Sequence, residues 1–191
     1  MDKTKLFYAP ERGAWRAWLA AHYQSENEVF FVFPTAASEE PGVSYNDAVE
    51  EALCFGWIDS TAGRLDGTHT TRRFTPRRPG APYSRPNIER LIWLDGQGML
   101  LPAVRDEVLP LLTEPFVFPE DILDAIRADS AAWRWYETFP APYRRIRVAY
   151  IDAARDRPEE FRRRLANFIA KTRENRRIVG YGGIEKYYGD S

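Results

Sequence analysis

Between Ser44 and Thr75 the hydrophobic period of the chain changes, and that change restricts the fold more than any other feature. Tyr45, Ala48, Val49, Ala52 and Leu53 recur at i, i+3, i+4, i+7 and i+8, the spacing of one buried helix face, with Asn46, Asp47, Glu50 and Glu51 facing out. Ser44 with Asp47 three residues on reads as a capping box, and Gly56 is well placed to stop the helix. Past Gly56 the pattern turns strand-like. Trp57 to Leu65 and Thr68 to Thr75 predict two strands, with Asp66-Gly67 as a tight hairpin turn. If that two-residue turn sets the register, Trp57, Asp59, Arg72 and Phe74 share one face of the hairpin.

The flanking segments fit the same scheme. Pro10 to Tyr23 predicts a helix with Trp15, Trp18, Leu19 and Tyr23 on one face, and Glu28 to Phe33 a strand ended by Pro34. Pro76 to Pro86 is a loop rich in Arg and Pro, after which Ser84 can cap a helix with Ile88, Leu91 and Ile92 on its buried side. Leu101 to Leu112 predicts another helix. Thr113 to Pro119, with two prolines, is the best candidate for a linker. Beyond it only helices are expected: Pro119 to Ala128, Ser130 to Phe139, Tyr143 to Ala154, and a last one opened by Pro158 with Glu159 and Glu160 at its positive end. The expected class is α+β: a mixed domain over 1–113 with a small antiparallel sheet packed with helices, then a helical region over 114–191.

Composition narrows the function classes. With 44% hydrophobic, 14% aromatic and 29% charged residues, the chain of 191 residues reads as ordered and globular. A formal net charge of −1 supplies no global field for nucleic acid or anionic membrane, so any such role needs a local patch. The N-terminus lacks a signal-like apolar run and no segment has the length of a membrane span, so a cytoplasmic, non-inserted protein is the expectation. Cys54 is the only cysteine, which excludes an intramolecular disulfide and a cysteine metal cluster. His22 and His69 stand in no metal-ligand spacing, and Gly180, Gly182 and Gly183 lack the lysine and strand context of a phosphate loop. No catalytic residue, metal or cofactor is assigned on these grounds.

The block Ala52-Leu53-Cys54-Phe55-Gly56-Trp57-Ile58-Asp59-Ser60, with Arg73-Phe74-Thr75-Pro76-Arg77-Arg78 and Ser84-Arg85-Pro86-Asn87, resembles the bacterial YdeI/OmpD-associated family, also called bacteriocin-protection proteins. Trp15 to Leu19, Phe118 to Asp121 and Ile151 to Ala154 extend the likeness over nearly the whole chain, while Ala81, Tyr83, Glu160 and Phe161 depart from the family pattern. The resemblance implies a small α+β domain followed by helices, a role in stress or antimicrobial-peptide tolerance, and for some members association with an outer-membrane porin. It implies no reaction and no cofactor.

The residues themselves point to an anion site. Arg73, Arg77, Arg78 and Arg85 precede the helix that Ser84 caps, where free backbone amides favour negative charge. Ser84 and Asn87 could add donors, Trp57 a stacking platform, and Asp59 a base or polar clamp. The expected ligand site is therefore Trp57, Asp59, Arg73, Arg77, Arg78, Ser84 and Asn87, taking a small anionic ligand. Against it stands a purely structural account. In that account Trp57 is a core ring, Asp59 holds Arg72 or Arg73, and the arginines pair with Asp59, Asp66, Glu50 and Glu51. Two alternatives remain open: an enzyme using the same groove, and nucleic-acid binding by the arginines between Arg144 and Arg164, whose charge Asp152, Asp156, Glu159 and Glu160 interrupt.

Overall fold

The computed structural model describes residues 3–179 and 185–188; the glycines at 180, 182 and 183 lie outside them. In chain order the elements are β1 (Leu6–Tyr8), α1 (Arg12–His22), β2 (Val29–Pro34), α2 (Tyr45–Cys54), β3 (Trp57–Arg64), β4 (His69–Pro76), α3 (Arg85–Gly96), α4 (Pro102–Thr113), α5 (Glu120–Arg127), α6 (Ser130–Thr138), α7 (Ala141–Asp152) and α8 (Pro158–Arg173). Short 3₁₀ turns occur at Lys3–Lys5 and Glu185–Tyr188. The class is α+β, an N-terminal sheet followed by a helical region. The chain divides into two compact units: the first runs to Pro82 and includes Leu91–Leu112, the second takes Tyr83–Arg90 and the chain from Thr113.

In the first unit four strands lie in the order β1-β2-β4-β3. The expected antiparallel sheet is in fact mixed, because β1 pairs parallel to β2. Its three residues are too few for an alternation to be read from sequence. The hairpin begins in the register that a two-residue turn demands, Trp57 opposite Pro76 and Asp59 opposite Phe74. Between Asp59 and Ala62 it slips, Ser60 and Thr61 standing against Arg73 alone, a β-bulge. The cause lies at the tip, where the Asp66 carboxylate accepts from the amides of Thr68 (2.7 Å) and His69 (2.8 Å). That side-chain turn takes more than two residues, and the bulge absorbs the difference.

Trp15 of α1 fills the space over the sheet, its ring 4.9 Å from Phe31 and 5.4 Å from Phe74, and its Nε1–H donates to the Ala48 carbonyl of α2 at 3.0 Å. The helix α2 starts as expected, Ser44 Oγ accepting from the Asp47 amide, and stops at Gly56, whose φ of +72° suits a residue without Cβ. One expectation for α2 fails. Glu50 and Glu51 do not face out: they are 0% and 1% exposed. Arg12 of α1 reaches them, Nη1 donating to Glu50 (2.9 Å) and to Asp47 (2.8 Å) and Nε to Glu51. Arg16 donates to Glu51 at 2.7 Å and to the Met99 carbonyl at 3.0 Å. Carboxylates leave water only when paired, and a second helix supplies the pairs, which spacing within α2 cannot reveal.

In the second unit Ile122, Ile126, Tyr136, Tyr143, Ile151 and Phe168 from α5 to α8 form one core. The opening turns of α3 belong to this unit. There Glu89, 2% exposed, accepts from Arg85 Nε (2.6 Å) and in a fork from Arg145 Nε and Nη2 of α7 (both 2.7 Å).

Two stability measurements check this packing. Arg12→Ala strips Glu50 of that guanidinium and should lower unfolding free energy by about 3 kcal/mol in urea titrations. A loss below about 1 kcal/mol would mean that the carboxylates are hydrated. Glycine-to-alanine changes should split in sign: Gly56→Ala destabilises by about 1 kcal/mol through its left-handed backbone, whereas Gly13→Ala, in a helix where an added Cβ would meet only a Glu11 carboxylate oxygen at 3.9 Å, stabilises by about 0.5 kcal/mol.

Candidate functional site

The seven expected site residues are divided between the two units. Trp57, Asp59, Arg73, Arg77 and Arg78 belong to the first unit, Ser84 and Asn87 to the second. Trp57 is a core ring, 1% exposed, with its Nε1–H donating to the Tyr23 carbonyl at 3.1 Å, so neither ring face is open for stacking. Strand alternation separates Arg73 from Asp59, because Asp59 stands opposite Phe74 and Arg73 points to the other face. On that face Arg73 Nε donates to Glu28 at 2.6 Å, and Lys5 Nζ donates to the same carboxylate at 2.9 Å. These two cations hold Glu28 below the usual carboxylate range. Arg77 folds back onto its own loop, donating to the carbonyls of Ala81 (2.8 Å) and Pro82 (3.1 Å), and Arg78 is exposed. The Ser84 carbonyl accepts from Asn87 and Ile88 at the start of α3, and the Asn87 carboxamide oxygen accepts from Arg90 at 2.9 Å.

What the structure does assemble around Asp59 is a cluster of Tyr45, Ser60 and Arg72. The Tyr45 hydroxyl donates to Asp59 Oδ2 at 2.8 Å, and Arg72 Nη1 lies 3.7 Å from the same oxygen. The Arg72 guanidinium packs over the Tyr45 ring, 4.9 Å from its centroid, and donates to the Ser60 carbonyl at 3.2 Å. The bulge makes the last bond accessible: Ser60 turns its carbonyl to Arg72 while its hydroxyl donates to the Arg73 carbonyl at 3.3 Å. Arg72 is thus held by a ring, a carbonyl and a carboxylate. It was visible in sequence as a face-mate of Asp59. Tyr45 was not, since its place in the helical repeat put it inside, yet it is 40% exposed.

Arg72 and Tyr45 line an open groove of about 730 Å³, together with Phe33, Val43, Arg64, His69 and Thr70. The lining residues carry two guanidinium groups and an imidazole and include no carboxylate. The acids that pair with two of them are not among the lining residues: Asp59 meets Arg72 and Tyr45, and Asp66 and Glu40 meet the His69 ring at 3.1 and 3.3 Å. The amide of Thr68 holds Asp66 down to about 2, while Asp66 and then Glu40 raise His69 above its ordinary value. The floor, Phe33 and Val43, is apolar. A guanidinium already held in place loses little further freedom in meeting a planar oxyanion.

The remaining candidates are accounted for locally. Burial, and next the Glu51 charge, push the Cys54 thiol up to about 12, the condition of an inert packing residue. His22 stacks on Trp18 with ring centroids 4.7 Å apart. In the second unit the basic run between Arg144 and Arg164 is interleaved with acids: Arg145 on Glu89, Arg155 on Asp121 and Asp152, Arg163 and Arg164 on Glu160.

Two titrations test these environments. Because His69 has a folded-state value above 6.5, its contribution to stability is complete below that pH and is lost as the pH rises through the folded value. Its ring resonances in NMR should titrate above 6.5, and Asp66→Asn should bring the midpoint down. Native Cys54 should resist a disulfide reagent at pH 8 and react only after denaturation; rapid labelling of the folded protein contradicts the burial.

Comparison with known families separates the two halves of the chain. The model of a domain of unknown function (DUF8412) matches residues 7–107, and that of the family described as bacteriocin-protection, YdeI or OmpD-associated matches residues 115–175. The blocks Ala52–Ser60, Arg73–Arg78 and Ser84–Asn87 lie inside the first match, so the YdeI/OmpD-associated likeness is carried by 115–175 rather than by nearly the whole chain. Neither the curated proteins nor the solved structures give a match. Among the described residues no helix is long and apolar enough to cross a membrane. The chain therefore belongs, over more than half its length, to the DUF8412 family, and it carries a YdeI/OmpD-associated (bacteriocin-protection) domain at residues 115–175.

Proposed function

We propose that this chain is a non-enzymatic binding protein whose first unit takes a small anionic ligand in the groove headed by Arg72. The supporting observation is the sorting of charge there: Arg64, Arg72 and His69 line the groove, while the acids Asp59, Asp66 and Glu40 that meet Arg72 and His69 are not among its lining residues. These acids hold Arg72 and His69 while leaving the groove lining free of carboxylates. Binding is favoured over catalysis because Asp59, the one carboxylate at the head of the groove, is engaged by Tyr45 and Arg72, and the Cys54 thiol is buried and protonated. The expected ligand carries a carboxylate or phosphate that Arg72 can grip with two parallel N–H bonds. A part in bacteriocin protection or porin association is the wider setting that the name of the second domain's family suggests.

The test is NMR titration with pyrophosphate and with citrate. Both should shift resonances of Arg72, His69 and Thr70. Arg72→Ala should weaken binding by about tenfold, the loss of a charged hydrogen-bond pair, and Arg72→Lys should fall between. The double variant Arg77→Ala/Arg78→Ala probes the sequence-based alternative in the basic loop. If it abolishes binding while Arg72→Ala does not, the groove is the wrong site. Thermal melts of each variant separate lost affinity from lost fold.

A further inference from the structure

A second cavity, of about 520 Å³, lies wholly within the second unit, lined by α7, α8 and the segment at Ile178 and Val179. Its size falls in the range of roughly 300–1,000 Å³ typical of small-molecule sites. Its back wall is apolar: Ile151 and Phe168 are each 1% exposed and continue the core of this unit. The described lining residues also include three cations, Arg147, Arg163 and Arg164, against a single carboxylate, Glu160. That carboxylate is engaged by both Arg163 and Arg164, and the Arg164 bond holds it below its ordinary range.

Arg164 is the most constrained of the three cations. Its guanidinium stacks 3.7 Å from the centroid of the Tyr150 ring, its Nε donates to Glu160 at 2.7 Å, and its Nη1 donates to the Tyr150 carbonyl at 2.6 Å. Such an arginine has already lost its rotamer freedom, so a ligand gains its charge at small entropic cost. Arg147, 6% exposed, stands deeper, donating to the Ile178 carbonyl. Tyr143 fixes the far rim by accepting from the Ile178 amide at 2.8 Å. Here buried apolar side chains and three cations line one cavity, and Arg164 among them is held in place.

We infer that this cavity binds an amphiphilic carboxylate, its tail against Ile151, Phe168 and Ile178 and its head on Arg164 and Arg163. Purely polar anions lack a partner for the apolar wall, and neutral apolar molecules lack one for the guanidinium groups. The site is separate from the groove of the first unit and does not rest on that reading.

Calorimetry of the full chain with octanoate, 1-octanol and inorganic phosphate tests the inference. Octanoate should bind about tenfold more tightly than either of the others, since each of them forfeits one of the two contributions. Equal binding of octanol, or of phosphate, overturns it. Asn167→Trp should fill the cavity from the exposed face of α8 and lower octanoate affinity by at least about tenfold, with the melting temperature retained. Arg163→Glu, at a side chain that is 77% exposed, should lower it several-fold. Octanoate affinity unchanged in both variants rules out this cavity. Arg72→Ala should leave octanoate binding intact, which keeps the two sites distinguishable.

Discussion

Two adjacent carboxylates buried at the middle of a helix set the terms for the first unit. Glu50 and Glu51 can leave water only if cations meet them, and the cations come from α1, one helix away in sequence. The cost of getting this pairing wrong is larger than the gain from getting it right, because an unpaired buried charge is far worse than a solvated one. The network therefore acts chiefly on register. It fixes α1 against α2, sets Trp15 over Phe31 and Phe74, and lets the Trp15 indole find the Ala48 carbonyl. Once α2 is fixed, so is its first residue, Tyr45, and with it the ring on which Arg72 lies.

The groove inherits its geometry from that chain of constraints and from one irregularity. Without the bulge, Ser60 would follow the alternation of β3 and its carbonyl would stay in the ladder. With it, two residues oppose one, and Ser60 bonds both Arg72 and the backbone of Arg73. The bulge in turn follows from Asp66, whose side chain takes two backbone amides and widens the turn. A single carboxylate at the tip of the hairpin thus shifts the register that brings a carbonyl onto a guanidinium near its other end.

Periodicity made most of this fold legible. The spacing from Tyr45 to Leu53, the stop at Gly56 and the switch to alternation gave α2 and the hairpin. The prolines at 119 and 158 stand where α5 and α8 begin. Two kinds of feature stayed hidden. The strand β1 has three residues and is defined by the partner it pairs with, so no local pattern announces it. The burial of Glu50 and Glu51 is likewise a property of α1, and a helical wheel of α2 alone turns them outward. The site was half visible for the same reason. The hairpin register places Arg72 beside Asp59, but arginines that are near in sequence need not meet in space, because in a strand nearest neighbours point to opposite faces. Arg73 went to Glu28, and Arg72 went to Tyr45.

The abundance of arginine then has a physical reading beyond charge. Across the described residues guanidinium groups lie over rings: Arg16 on Phe55, Arg85 on Phe116, Arg127 on Trp133, Arg164 on Tyr150. A planar, weakly hydrated cation can be packed as a flat side chain while its edge still donates hydrogen bonds, which an ammonium cannot do. An arginine used this way has its direction fixed by carbon and its chemistry left at the rim. Where acids close the rim, as Glu89 does between Arg85 and Arg145, the result is structural. Where the paired acid is not part of a cavity's lining, as Asp59 is not at Arg72, the guanidinium lines the cavity without a carboxylate beside it there.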